Sequence, residues 1–291
     1  MQTVQSPTIT STRPGFAGRL RERSRLANSL ACVGLDPEHR HFPAHLSSHP
    51  PKEALVRFNA AIIEATSDLV CAYKPNLGFY VAHGLAGIEA LLETRRLIPA
   101  DIPVILDCKV GDMATTTTAY ARGYFDEWSF DAITANPYQG EDSLQPFFDY
   151  AGRGVLVLCK TSNAGSSDLQ DLTVNAATDG QTLYEHVARR VSVWSDAYPA
   201  DVGLVVGATY PSQLASVRQI CPSQIILLPG VGAQGGDLAA SVQAGVDRDG
   251  EGLIVSSSRG IIYAGSGADF AEQARDAALR LRDDINAVRG A

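Results

Sequence analysis

The feature that most constrains this chain is a repeat: a short apolar, β-branched run, a turn, then a longer amphipathic stretch, eight times over. The apolar runs fall at 31–36, 71–76, 104–109, 132–136, 154–161, 202–207, 225–230 and 253–257. Helical patterns occupy 52–67, 84–96, 115–128, 183–197, 211–220 and 237–244, with a first helix-like segment at about 16–30 and a last one at 270–288. Strands that alternate with helices pair in parallel, because a parallel neighbour is reached only through a crossover. Strands that are apolar nearly throughout predict a sheet covered on both faces. Eight such units in about 260 residues predict an α/β fold, a single-domain (β/α)8 TIM barrel over residues 16–291. A doubly wound open sheet competes with it. The first strand lacks the GxGxxG turn that would favour that arrangement.

Composition enters as a limit on partners. An apolar fraction of 45% supports a core of this size. The formal net charge of -8 argues against nucleic acid and against an anionic membrane surface. An anionic substrate must then be held by a few local cations. No apolar run approaches the roughly 18 residues that span a bilayer. Residues 1–15 are polar, rich in Ser and Thr, without the apolar core of a secretory signal, and are expected to form a disordered tail on a cytoplasmic protein. Five cysteines, with no metal-binding spacing, are expected to be small buried hydrophobes. The polar insert 163–181 has the length of a lid or a disordered loop.

In a barrel of this kind the chemistry gathers at the C-terminal ends of the strands. Those ends carry Asp36, Lys74, Asp107 with Lys109, Asn136, Lys160 with Ser162, Gln234 and Arg259. The sharpest signal is LDCKVGD at 106–112. Strand alternation puts Asp107 and Lys109 on one face and turns Cys108 away. Asp112 follows in the turn, where it can serve as a helix N-cap or share a helix face with Thr116. Lys109 among carboxylates is expected to keep its proton, which suits a proton donor and not a Schiff-base nucleophile. Asp107 would repel a substrate carboxylate. Loss of CO2 would relieve that repulsion and leave a carbanion facing the Lys109 ammonium. The second signal joins LPGVGAQGGD at 228–237 to SSSRG at 256–260. Glycines, a helix start near Asp237 and the guanidinium of Arg259 make a phosphate site after strands seven and eight.

These residues, together with GLDP at 34–37, KPNLGFY at 74–80, KTSN at 160–163 and SSSRGI at 256–261, resemble orotidine 5′-monophosphate (OMP) decarboxylases, in particular a bacterial subgroup with longer chains. The resemblance runs from about Phe16 to Arg289; Cys108 and Val110 stand at variable positions of the motif. It implies release of CO2 from OMP to give UMP, the last step of de novo UMP biosynthesis, with no metal and no organic cofactor. It implies that Asp36 binds the ribose hydroxyls and that Lys74 contacts the ribose and links to the charged array. Asp107 would sit against the departing carboxylate, and Lys109 would protonate C6 of the pyrimidine. Ser162 would hydrogen-bond the pyrimidine; Gln234 and Arg259 would hold the 5′-phosphate. Asp112 and Thr116 would complete the site of a neighbouring subunit in a homodimer. Lys160 receives no step. Two other readings stay open on the residues: a related barrel lyase that acts on a keto-sugar phosphate with Mg2+, and a non-catalytic phosphate-binding barrel.

Overall fold

The computed structural model describes residues 14–174, 180–231 and 237–290. Eight strands, all parallel, form one sheet: β1 (Ala31–Leu35), β2 (Ala72–Pro75), β3 (Ile105–Val110), β4 (Ala132–Ala135), β5 (Gly154–Lys160), β6 (Asp201–Val206), β7 (Ile226–Pro229) and β8 (Leu253–Ser257). Neighbours run β2-β1-β8-β7-β6-β5-β4-β3. The two ends of that order meet through parallel bridges Tyr73↔Val104 and Asn76↔Asp107, which bring the sheet round to a nearly closed barrel. The single-domain TIM barrel is therefore the fold, and the open sheet is excluded. Each expected strand overlaps an observed one, with ends shifted by a residue or so.

Why the strands are apolar throughout is visible in the packing. Ile105 faces the barrel interior and Leu106 faces the helices outside, so both alternating sets are buried. The lower interior holds Cys32, Ala72, Ile105, Ala132, Leu156 and Ile254. The helix Phe16–Leu26 seals it from below with Phe16 and Leu20. Gly154 makes room for this plug, since a Cβ there would stand 2.4 Å from the Phe16 ring. The Asp201 carboxylate accepts the Ala17 amide at 2.9 Å, where the helix dipole favours a negative group.

Some local expectations need correction. The segment 115–128 is not one α-helix: Ala114–Ala121 is α-helical and Arg122–Glu127 is a π-turn that turns Tyr124 and Phe125 together into the core. The helix Glu141–Phe148 carries Pro146 inside it and went unseen for that reason; Leu144, Phe147 and Phe148 still give it a buried face. The insert after β5 is folded in its described part. Residues Ala164–Asp168 form a 3-10 turn, and Thr173 bridges Thr182. The expected tail falls mainly on residues 1–13, outside the described residues. The five cysteines are free thiols, four buried and Cys108 half-buried. Among the described residues, no helix is long and apolar enough to cross a membrane.

Candidate active site

Above the apolar floor, the interior positions of the strands become polar. One step above Ala72 stands Lys74, and one step above Ile105 stands Asp107, both buried. The Lys74 ammonium donates to Asp107 Oδ2 at 3.0 Å and the Lys109 ammonium to Oδ1 at 2.5 Å. Two further donors complete the carboxylate: Asn76 Nδ2 at 3.3 Å on Oδ2 and the Thr134 hydroxyl at 2.9 Å on Oδ1. Burial alone would raise the pKa of Asp107, but Lys74 and Lys109 outweigh it and hold the carboxyl well below the usual range. Burial likewise works against the Lys74 charge, and the carboxylates of Asp36 and Asp107 reverse it, so its pKa lies above the ordinary lysine value. Asp107 is thus a fixed, ionised group with both oxygens committed.

Asp36, one residue past β1, accepts the Asn76 amide on Oδ1 at 3.1 Å and the Ser258 hydroxyl on Oδ2 at 2.5 Å. Gly34 permits that arrangement: a Cβ at this position would lie 1.8 Å from Ser258 Oγ. Tyr263 braces the same turn, donating to the Asp36 carbonyl at 3.0 Å. Asp36, Lys74 and Asp107 line a cavity of about 250 Å³ whose other wall is Pro229–Val231 and Ser256–Arg259. An anionic end group would fit against Arg259 there, in the same cavity that Lys74 and Asp107 line.

The pairing of Asp107 with Lys109 holds, but alternation is not its whole cause. Leu106 pairs with Ile133 and Val110 with Ala135, so β3 carries two more residues than β4 over this stretch. The bulge leaves Lys109 at φ +47°, a left-handed conformation unusual for a lysine. Asp112 is not an N-cap. The helix begins at Ala114 with Met113 as its cap, and the Asp112 carboxylate accepts the Met113 amide at 2.8 Å. Asp112 therefore shares no helix face with Thr116, which is exposed. Neither residue lines the cavity of its own chain. Asp237 does cap the helix Leu238–Gly245, accepting the Ala240 amide at 3.0 Å, so that helix end already holds a carboxylate of its own.

Ser162 lies just beyond β5 and outside the wall of the cavity among the described residues. Its neighbours are braced by the insert: Thr161 donates its amide to Gln170 Oε1 at 2.8 Å. Lys160, 1% exposed, gains a contact that the sequence did not supply. Its ammonium ties Ser166 at 3.0 Å and Asp171 at 2.9 Å to the barrel and lies over the Tyr210 ring. Gln234 lies outside the described residues. Thr134, Asn76, Ser258 and Tyr263 were missed. Each acts through a hydrogen bond to a residue at least 25 positions away, which no local pattern reveals. Among the described residues, no three His, Cys, Asp or Glu side chains gather as a metal site.

Comparison with known proteins gives one family. The model of the orotidine 5′-phosphate decarboxylase / HUMPS family matches residues 29–274. The orotidine 5′-phosphate decarboxylase of Thermomicrobium roseum is 53% identical over 274 residues, covering 94% of this chain and 96% of that one. The protein of the same name from Azoarcus is 47% identical over 276 residues, covering 94% and 99%. The solved OMP decarboxylase of Leishmania donovani superposes with a TM-score of 0.82 at 43% identity, covering 95% of this chain and all of the other.

Proposed function

This chain belongs to the orotidine 5′-phosphate decarboxylase / HUMPS family, and we propose that the array centred on Asp107 performs its reaction. The activity is that of a carboxy-lyase: OMP loses CO2 to give UMP, the decarboxylation step of pyrimidine biosynthesis. One observation carries the assignment to residues. A buried, ionised Asp107 stands between two ammonium groups at the wall of a cavity that ends in Arg259.

In this reading Arg259, with Gln234, holds the 5′-phosphate, and Asp36 and Lys74 hold the ribose. Binding there sets the pyrimidine carboxylate against Asp107, whose oxygens are committed and cannot turn away. Ser162 meets the pyrimidine from the β5 side. The C6–carboxylate bond breaks, CO2 leaves, and the electron pair stays on C6. The Lys109 ammonium lies next to that position, so charge that develops on C6 meets an existing positive group. Proton transfer from Nζ to C6 gives UMP and leaves a neutral amine. With 47% of its side chain exposed, Lys109 can recover the proton from solvent. The chain's own groups supply every step, and turnover is expected to survive EDTA. The Mg2+-dependent lyase would lose its activity there.

We further propose a homodimer in which Asp112 and Thr116 complete the partner's site. Neither lines the cavity of its own chain. Leu85 (84% exposed), Tyr138 (82%), Met113 (64%) and Val81 (55%) stand on the segments that follow β2, β3 and β4, at the same end of the barrel. Apolar exposure of that kind suits burial against a second copy. The free thiols fit a reducing compartment, and we assign the cytoplasm.

Measured CO2 release from OMP tests the activity. Mixing inactive Lys109→Ala with inactive Asp112→Ala subunits tests the shared site. Random exchange in a two-fold dimer makes one whole site in half of the dimers, so about a quarter of wild-type activity should return. No recovery despite verified exchange would refute the sharing.

A further inference from the structure

We infer that Thr134 is a positioning residue for the decarboxylation, one that sets both the Asp107 carboxylate and the Lys109 ammonium. The inference rests on the functional reading above and deepens it.

Thr134 sits on β4, 1% exposed, behind the cavity lining and not part of it. Its hydroxyl has one proton and two acceptor sites, and all three are used. The proton goes to Asp107 Oδ1 at 2.9 Å. The acceptor sites take the amides of Cys108 at 3.0 Å and Lys109 at 2.9 Å. In a regular parallel sheet those two successive amides would point to opposite sides, one of them to a carbonyl of β4. Here the two-residue register shift between β3 and β4 removes that partnership. A buried amide without a partner is costly, so a side-chain acceptor is what makes the bulge tolerable.

The consequence falls on Lys109. Its left-handed backbone persists only while its surroundings over-determine it. The Thr134 hydroxyl grips the backbone of Lys109 and the carboxylate that receives the Lys109 side chain. One atom thus fixes both ends of the lysine. The threonine methyl contributes shape alone, so valine preserves volume while removing every one of these bonds, and serine preserves the bonds while removing the methyl.

The test compares Thr134→Val and Thr134→Ser with wild type in three readouts: kcat for OMP, UMP dissociation constant and thermal midpoint. A displacement of about 1 Å in a catalytic group costs about 100-fold, so Thr134→Val should lose about that factor in kcat. UMP binding should change by less than about threefold, because UMP lacks the carboxylate that Asp107 faces. Thr134→Ser should recover most of kcat. A merely structural threonine would lower the midpoint and leave kcat per folded site unchanged. A folded Thr134→Val with kcat within about threefold of wild type overturns the inference. If that variant does not fold, Thr134→Ala is read by the same criteria; failure of both to fold assigns Thr134 to the scaffold and also overturns it. Wild type that releases no CO2 from OMP overturns the functional reading itself, whereas a normal wild type beside an undiminished Thr134→Val overturns this inference alone.

Discussion

Two buried carboxylates, one at each end of the barrel, are built alike. At the N-terminal end Asp131 bridges Arg19 at 2.8 Å and Arg95 at 3.2 Å, and accepts the Val104 amide at 2.9 Å. At the C-terminal end Asp107 bridges Lys74 at 3.0 Å and Lys109 at 2.5 Å, and accepts the Thr134 hydroxyl. The difference is in the cations. Arginine holds its proton at any ordinary pH and grips in a planar fork, which suits a clasp between the first helix, the helix Gly84–Leu97 and the start of β4. Lysine is a point charge with a proton that it can give. The backbone differs as well, because the active end holds Lys109 in a left-handed conformation and the clasp end requires nothing comparable of Asp131 or its partners. The same ionic motif closes the barrel at one end and does chemistry at the other.

The contrast is broken most severely by Lys109→Arg. That change keeps a cation beside Asp107 and removes the transferable proton, so kcat should fall about 10⁴-fold while UMP binding persists. Turnover near wild type would show that charge suffices and that proton delivery lies elsewhere. Next in size is Asp131→Ala, which removes the carboxylate that two guanidinium groups and an amide share. Urea unfolding should show a loss of about 3 kcal/mol, with kcat of the folded enzyme unchanged. Arg259→Ala should raise KM for OMP by about 10- to 100-fold, with a smaller fall in kcat, since binding energy remote from the reacting carbon also supports the chemistry. The smallest effect is on pH dependence. Asp107, whose folded pKa is depressed, adds stability above its ordinary value near 3.8 and loses it as pH falls through the folded value. Wild type should therefore lose stability relative to Asp107→Asn as pH drops from about 5, and parallel curves would argue against an ionised Asp107.

The barrel was legible in the sequence because its strand–helix unit repeats eight times, and much of the array because side chains alternate along a strand. Ile105, Asp107 and Lys109 announce an apolar floor with charge above it, and Lys74 stands over Ala72 in the same way. Other features depend on partners far along the chain. The bulge at Lys109 needs Thr134, and Asp36 needs Ser258, 222 residues away. The Asp131 clasp has no local signature, because nothing near Asp131 in the sequence says that Arg19 reaches it. The cap option for Asp112 fails because the turn runs one residue longer than the motif suggests. Lys160 resisted assignment until the fold of the insert showed what it holds.

The central claim is that a lysine ammonium at position 109 serves the reaction, and chemical rescue tests it most directly. Lys109→Cys removes the ammonium, and alkylation with 2-bromoethylamine restores it on a side chain of nearly the same length. The native thiols of Cys32, Cys71, Cys108, Cys159 and Cys221 are all pushed up by burial, so the introduced thiol, on a half-exposed side chain, should react first. The unmodified variant should bind UMP and release no measurable CO2 from OMP; the alkylated one should recover turnover in proportion to the modification found by mass spectrometry. Near-normal turnover before alkylation would contradict the account, as would a fully alkylated, UMP-binding enzyme that stays inactive.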